Sequence, residues 1–424
     1  DHTFKNKLEA YALVLGFPVI IDTEYITGSL SGSLLKRGIP ALTVEVGESF
    51  SVNEAMTRKG VAAVMRLFYH LEMIEEGEGE GRPFFLYLAH IAPHWPLHAR
   101  EEDTARYDGV YLKGWDAIRT ARHEEMRTRG VLQHKWEISP RDPGAPPWTE
   151  IGLTDWEARR MAVYAAQIDR MDQSIGRLLD ALRRLGAYDN TLVLFLSDNG
   201  GCAEFMAEDG WAKFFPDTTQ DRRRMTMGNR PGVDPGGPLS YMSYDLPWAN
   251  VSNTPFRKFK HWVHEGGIAT PLIVHGPDRL QVPSVRHAPC HVVDILPTIL
   301  EATGAEYPSE LGGHEIQPLD GESFLSLLQG RPWAREQPVF WEHEGNGAVR
   351  LGNFKLVRRF GGPWELYDME QDRTELNNLM DKNEPLTRQL VREYEAWAES
   401  AGVVDWSILL PRLQAIWQMD DIHG

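Results

Sequence analysis

Three short clusters in this 424-residue chain hold side chains that could handle an anion. In Ala92-Pro-His-Trp-Pro-Leu-His98, Pro93 and Pro96 stiffen a loop and would present His94 in a fixed pose. In Ser197-Asp198-Asn199-Gly200-Gly201, a carboxylate and an amide oxygen stand side by side after the apolar run Thr191–Leu196, and two glycines let the backbone turn sharply. Such an oxygen pair suits a hard cation such as calcium or magnesium, although the same pentapeptide is also good turn chemistry. The third cluster is Lys258-Phe-Lys260, ahead of His264-Glu265-Gly266-Gly267. A cation, a lysine and a histidine together favour a tetrahedral oxyanion, a sulfate or phosphate ester. The cation and lysine offset developing charge, and the histidine can donate a proton to the leaving oxygen.

These clusters need elements to place them. Continuous apolar runs predict buried strands at Pro83–Ala89, Thr191–Leu196 and Pro271–His275. Between them, Thr154–Leu185 reads as a helix, with Thr154 and Glu157 as a capping box and Gly186 as its stop. Asp294–Ala302 reads as another helix, closed by Gly304. This alternation predicts an α/β fold around a mainly parallel sheet. Short strands at Pro338–Trp341, Ala348–Arg350, Phe354–Val357 and Trp364–Tyr367 predict a small antiparallel sheet. It is followed by an amphipathic helix marked by Leu386, Leu390, Val391, Tyr394 and Trp397. Before the first cluster, Pro18–Ile21 and Ala41–Val46 read as strands and Asn53–Glu72 as a helix. The predicted organisation is a first block over 1–75, an acidic Gly-rich linker over 76–82, an α/β domain over 83–310 and a C-terminal subdomain over 311–424.

Composition narrows the function classes. A net charge of −17 argues against nucleic acid as a partner and means that an anionic substrate needs a local positive site. Two cysteines, Cys202 and Cys290, do not make a disulfide scaffold. No apolar stretch approaches membrane-spanning length. The opening Asp1-His2-Thr3-Phe4 has neither an initiator Met nor a signal peptide, so the start is expected to be processed, trimmed or a fragment boundary, and localisation is not readable from it.

Six blocks occur in the order seen in bacterial arylsulfatases: Phe84–His98, Tyr164–Asp172, Leu194–Gly201, Asn253–Arg257, His264–Pro271 and Glu365–Asp368. From about residue 82 onward the chain resembles that family. The resemblance implies an alkaline-phosphatase-like α/β sandwich with a smaller C-terminal sheet. It also implies hydrolysis of a small sulfate ester, with Asp198 and Asn199 as calcium ligands, Lys260 on the sulfate and His94 near the leaving oxygen. Asp172 and Gly176 are expected to be packing residues of the long helix.

One departure stands against this. The family's nucleophile is a formylglycine made from the Cys or Ser of Cys/Ser-X-Pro-X-Arg, and no such motif occurs here. Asn253-Thr-Pro-Phe-Arg257 has the spacing but begins with Asn. The family's paired N-terminal aspartate ligands and its Gly-Lys-Trp-His segment are also absent. Instead, residues 16–73 resemble the C-terminal part of the succinylglutamate desuccinylase/aspartoacylase family. There Glu45 would match a general base, although without the zinc pair it reads as a carboxylate at a strand end. The competing expectations are an arylsulfatase impaired by the missing motif, a non-catalytic sulfate- and metal-binding relic, a phosphodiester or phosphonate ester hydrolase of the same superfamily, and a zinc amidohydrolase.

Overall fold

The computed structural model describes residues 84–207, 215–219, 221–277, 280, 284–311 and 313–417. The desuccinylase-like block, with Glu45, lies outside the described residues. In chain order the elements used below are α1 (Gly114–Thr128), α2 (Thr154–Arg184), β1 (Val193–Leu196), β2 (Thr226–Met227), β3 (Ser240–Tyr241), α3 (Asp245–Ser252), α4 (Glu265–Ile268), β4 (Leu272–His275), α5 (Ile295–Thr303), β5 (Val339–His343), β6 (Asn346–Leu351), β7 (Phe354–Arg358), β8 (Trp364–Asp368) and α6 (Glu384–Ala401). They fall into two compact units. Of the described residues, one holds those through Val110 with Asp155–Asp189 and those in 207–243; the other holds Tyr111–Thr154, Asn190–Met206 and those from Tyr244 onward.

The first unit is organised by α2. Its 31 residues bury Met161, Ala162, Val163 and Ala166. Val163 packs where Gly236 sits at φ +97°, and a Cβ there would lie 2.7 Å from Val163 Cγ2. The loop before α2 is laced to the same unit: Leu97 N–H donates to Met242 O (2.8 Å) and His98 Nε2 bonds Ser240 O (2.7 Å). Asp172 is exposed, and a Cβ on Gly176 would meet nothing within 4 Å, so neither is a tight packing residue. The side chain of Asp172 simply falls on the solvent face of the helix.

In the second unit, β5–β8 form an antiparallel sheet in the order β8-β7-β6-β5. Period-two alternation splits its side chains between two faces. Val349, Leu356 and Leu366 pack with Leu390 and Tyr394 of α6, while Ala348, Val357, Tyr367 and Met369 pack with Val263. The second face therefore supports the segment that carries Lys260. Gly304 closes α5 at φ +72°, as the sequence suggests.

Two strand expectations change. Phe84–Ala89 joins no ladder among the described residues, and Phe85 and Tyr87 are exposed. An apolar run alone supplies no neighbour for its backbone N–H and C=O groups. β1 forms as expected but is half-buried, and its ladder partner is β4, antiparallel, with Val193 opposite His275 and Leu196 opposite Leu272. The link from β1 to β4 is a long excursion rather than a single crossover helix. The rule that makes successive α/β strands parallel therefore does not govern this pair.

Candidate functional site

β1 delivers the Asp-Asn turn, and local hydrogen bonds shape it. Ser197 Oγ donates to Asn199 O (2.9 Å), and Thr270 Oγ1 donates to Ser197 O (2.9 Å). Asn199 Nδ2 donates to Gly200 O (2.7 Å), which leaves Oδ1 as the acceptor end of that amide. Asp198 is exposed.

The glycines are there because two backbones touch. Gly200 N–H donates to Gly267 O (2.9 Å), and a Cβ on Gly200 would fall 1.8 Å from Gly266 O. A Cβ on Gly266 would fall 2.1 Å from Lys258 O, and one on Gly267 1.8 Å from Trp262 O. Only glycine allows this approach. The turn after β1 and the Glu265-Gly-Gly267 segment are thus one backbone assembly.

Asn253 locks it. Its Oδ1 accepts from Gly201 N–H (2.7 Å) and its Nδ2 donates to Lys258 O (3.0 Å). Lys260 N–H then donates to Gly201 O (3.0 Å). The structure therefore ties the turn that follows Asp198, through Asn199, Gly200 and Gly201, to the backbone of Lys260. Asn253, which opens the Asn253-Thr-Pro-Phe-Arg257 block, is here a buried clamp. The Lys260 ammonium lies 3.5 Å from Glu204 Oε1.

Cys202, beside this network, is not a nucleophile. Burial first, and then the negative charge of Glu204, push its thiol up to about 12. The thiolate is the reactive form. Cys202 is expected to resist alkylation by iodoacetamide at pH 7–8 in the folded protein and to react once unfolded, as followed by mass spectrometry.

The Gly-Gly segment is anchored from below by charge. Lys355 of β7 is fully buried, with Nζ 2.9 Å from Glu265 Oε1 and 2.9 Å from Glu375 Oε1. Glu265 N–H donates to Glu375 Oε2 (3.1 Å). Burial alone would raise the Glu265 carboxyl, but Lys355, Arg373 and Arg350 hold it below the ordinary carboxylate range. Beside it Arg257 pairs with Glu365, and Tyr367 donates to Glu365 Oε2 (2.8 Å). Asn253, Glu204 and Lys355 were not legible as site-builders, because their partners are distant in sequence.

His94 belongs to the other unit. Its Nδ1–H donates to Trp95 O (2.7 Å). Gln167 of α2 steadies this loop by donating to Pro96 O (3.3 Å).

By donor type, Asp198 and Asn199 fit a hard cation. Calcium takes roughly six to eight oxygens, of which these two residues supply a part. Among the described residues, the cluster of three possible metal ligands is a different one, His261, His343 and Glu344.

The sulfatase family profile matches residues 67–305, more than half of the chain, and a profile described as N-sulphoglucosamine sulphohydrolase, C-terminal, matches 256–399. An uncharacterized sulfatase of Schizosaccharomyces pombe is 31% identical over 349 residues, covering 77% of this chain and 59% of the relative. An arylsulfatase of Klebsiella aerogenes is 29% identical over 257 residues, covering 58% of this chain and 52% of the relative. The chain thus spans a little over half the length of these curated relatives. The crystal structure of Ps i-CgsB in complex with k-i-k-neocarrahexaose aligns with a TM-score of 0.50 at 22% identity, over 81% of this chain and 54% of that one. The likeness in fold is to alkaline-phosphatase-like α/β proteins, with the small antiparallel sheet following the α/β part.

Proposed function

Because the chain belongs to the sulfatase family, we propose that it binds sulfate esters for hydrolysis, an aryl sulfate being the model substrate, at a site built on Asp198, Asn199 and Lys260. The observation that carries this reading is the hydrogen bond from Lys260 N–H to Gly201 O (3.0 Å), which ties the lysine to the Asp-Asn turn. Asp198 and Asn199 would hold calcium, with magnesium the alternative. When bound, that cation polarises a sulfate oxygen. Lys260 sets a positive charge where the sulfate carries its negative ones, in a protein whose net charge of −17 would otherwise repel it. His94 would be the proton donor to the leaving oxygen, as the family resemblance implies.

The Cys/Ser-X-Pro-X-Arg motif does not occur in this sequence. Cys202 is half-buried with its thiol pushed up to about 12, and Asn253 is committed to Gly201 and Lys258. The reading is therefore a chain competent to bind sulfate and slow to turn it over, since lacking a covalent nucleophile costs several orders of magnitude in rate.

The test runs on the full chain with calcium. Inorganic sulfate should bind by calorimetry, and Lys260→Ala should weaken it about tenfold or more. Nitrophenyl sulfate and nitrophenyl phosphate are assayed side by side. Turnover of the sulfate ester near ordinary enzyme rates would contradict the missing nucleophile, and preference for the phosphate ester would favour a phosphoester hydrolase. Among the described residues no helix is long and apolar enough to cross a membrane.

A further inference from the structure

We infer that His261, gripped by Glu344 and Asn346 of the β5–β6 hairpin, is the positioning residue for Lys260. The inference rests on Lys260 being the group that holds sulfate.

The backbone around Lys260 is strained. Lys258 sits at φ +71° and His261 at φ +89°, two non-glycine residues in the left-handed region that flank the lysine. Such conformations persist only where surroundings over-determine them. Lys258 is held by Asp142 (Nζ to Oδ2, 3.7 Å) and lies over the Trp262 ring. His261 is held on both ring nitrogens. Nδ1 lies 2.5 Å from Glu344 Oε2, and Nε2 lies 3.2 Å from Asn346 Nδ2.

The proton positions follow from the neighbours. Asn346 is buried; its Oδ1 accepts from Phe360 N–H (3.1 Å) and its Nδ2 donates to His343 O (2.9 Å). The amide orientation is therefore fixed, and it presents an N–H to His261. Nε2 must accept, so the proton sits on Nδ1, the ring atom that lies against the Glu344 carboxylate. The His343 ring packs edge-on against His261, centroids 5.3 Å apart.

The same side chains look like a metal site, since ligand atoms of His261, His343 and Glu344 lie within 4.8 Å of one another. A metal on Nδ1 would send the His261 proton to Nε2, against the Asn346 N–H. The hydrogen bonds therefore favour a tautomer-locked anchor over a metal. Its effect is to fix the backbone at residue 261, and through it the Lys260 N–H bond to Gly201 O and the direction of the lysine.

Glu344→Met removes the acceptor at similar length, and Glu344→Gln keeps one. The first readout is the rate at which an amine-acetylating reagent modifies Lys260, followed by peptide mass spectrometry. The second is the affinity for inorganic sulfate with calcium present. Glu344→Met should speed Lys260 modification about threefold or more and weaken sulfate binding about fivefold or more, while Glu344→Gln stays within about twofold of wild type on both. His261→Phe, which loses both bonds but keeps a ring, should repeat the Glu344→Met result should that variant not fold. The inference is overturned if Glu344→Met and His261→Phe leave Lys260 modification unchanged, if Glu344→Gln behaves like Glu344→Met, or if stoichiometric zinc binding appears that Glu344→Met abolishes. If the modification rates follow expectation but wild type binds no sulfate, the anchor stands and the sulfate reading falls.

Discussion

Lys355→Met is expected to destabilise the protein by about 3–5 kcal/mol, measured by urea denaturation followed at the tryptophans. The Lys355 ammonium is fully buried between Glu265 and Glu375. Removing it leaves two carboxylates close together in a dry environment, with Arg373 (Nε to Glu265 Oε2, 3.4 Å), Arg257 (Nε to Glu375 Oε2, 3.8 Å) and the more distant charge of Arg350 as partial compensation. Replacing all three residues together, Lys355→Met with Glu265→Gln and Glu375→Gln, should recover most of the loss, because the penalty is the uncompensated charge rather than the missing pair. A loss under about 1 kcal/mol for Lys355→Met would show that water or a shifted arginine replaces it.

The same network sets an acid limit. Burial alone would raise the Glu365 carboxyl, but His264, Arg257 and Tyr367 hold it at about 2. A depressed carboxylate contributes stability that is present above its unfolded value, near 4.5, and is lost as pH falls toward about 2. The loss should be on the order of 3 kcal/mol across that window, and Glu365→Gln should flatten it.

Gly200→Ala is the second large effect. Its Cβ would stand 1.8 Å from Gly266 O, a backbone atom that cannot swing aside. The turn after β1 must then separate from the Glu265-Gly-Gly267 segment, losing the Gly200 N–H bond to Gly267 O. We expect a destabilisation of about 3 kcal/mol or more and loss of sulfate binding in whatever fraction folds. Gly176→Ala, within α2 and with nothing within 4 Å of its Cβ, should instead stabilise by about 0.5–1 kcal/mol. Equal effects from the two substitutions would contradict the close-approach argument.

Features that depend on local chemistry were legible in the sequence. Gly186 and Gly304 stop their helices in the left-handed region, at φ +66° and +72°. The four C-terminal strands pair as their spacing suggests. Features that depend on distant partners were not. Nothing local to Lys355 points to Glu265 and Glu375, its partners some 90 and 20 residues away in the chain. Asn253 reads as a failed nucleophile until Gly201 N–H is found bonded to it. The antiparallel direction of the β1–β4 pair could not be read because strand direction depends on the course of long connections.

Calorimetric titration of inorganic sulfate with and without calcium, on the wild-type chain and on Asp198→Ala, tests the cation-and-lysine site most directly. Sulfate should bind only with calcium present, and Asp198→Ala should abolish that dependence together with the binding. Sulfate affinity that is the same with and without calcium, or unchanged in Asp198→Ala, would show that the Asp198-Asn199 pair is a turn and not a cation site.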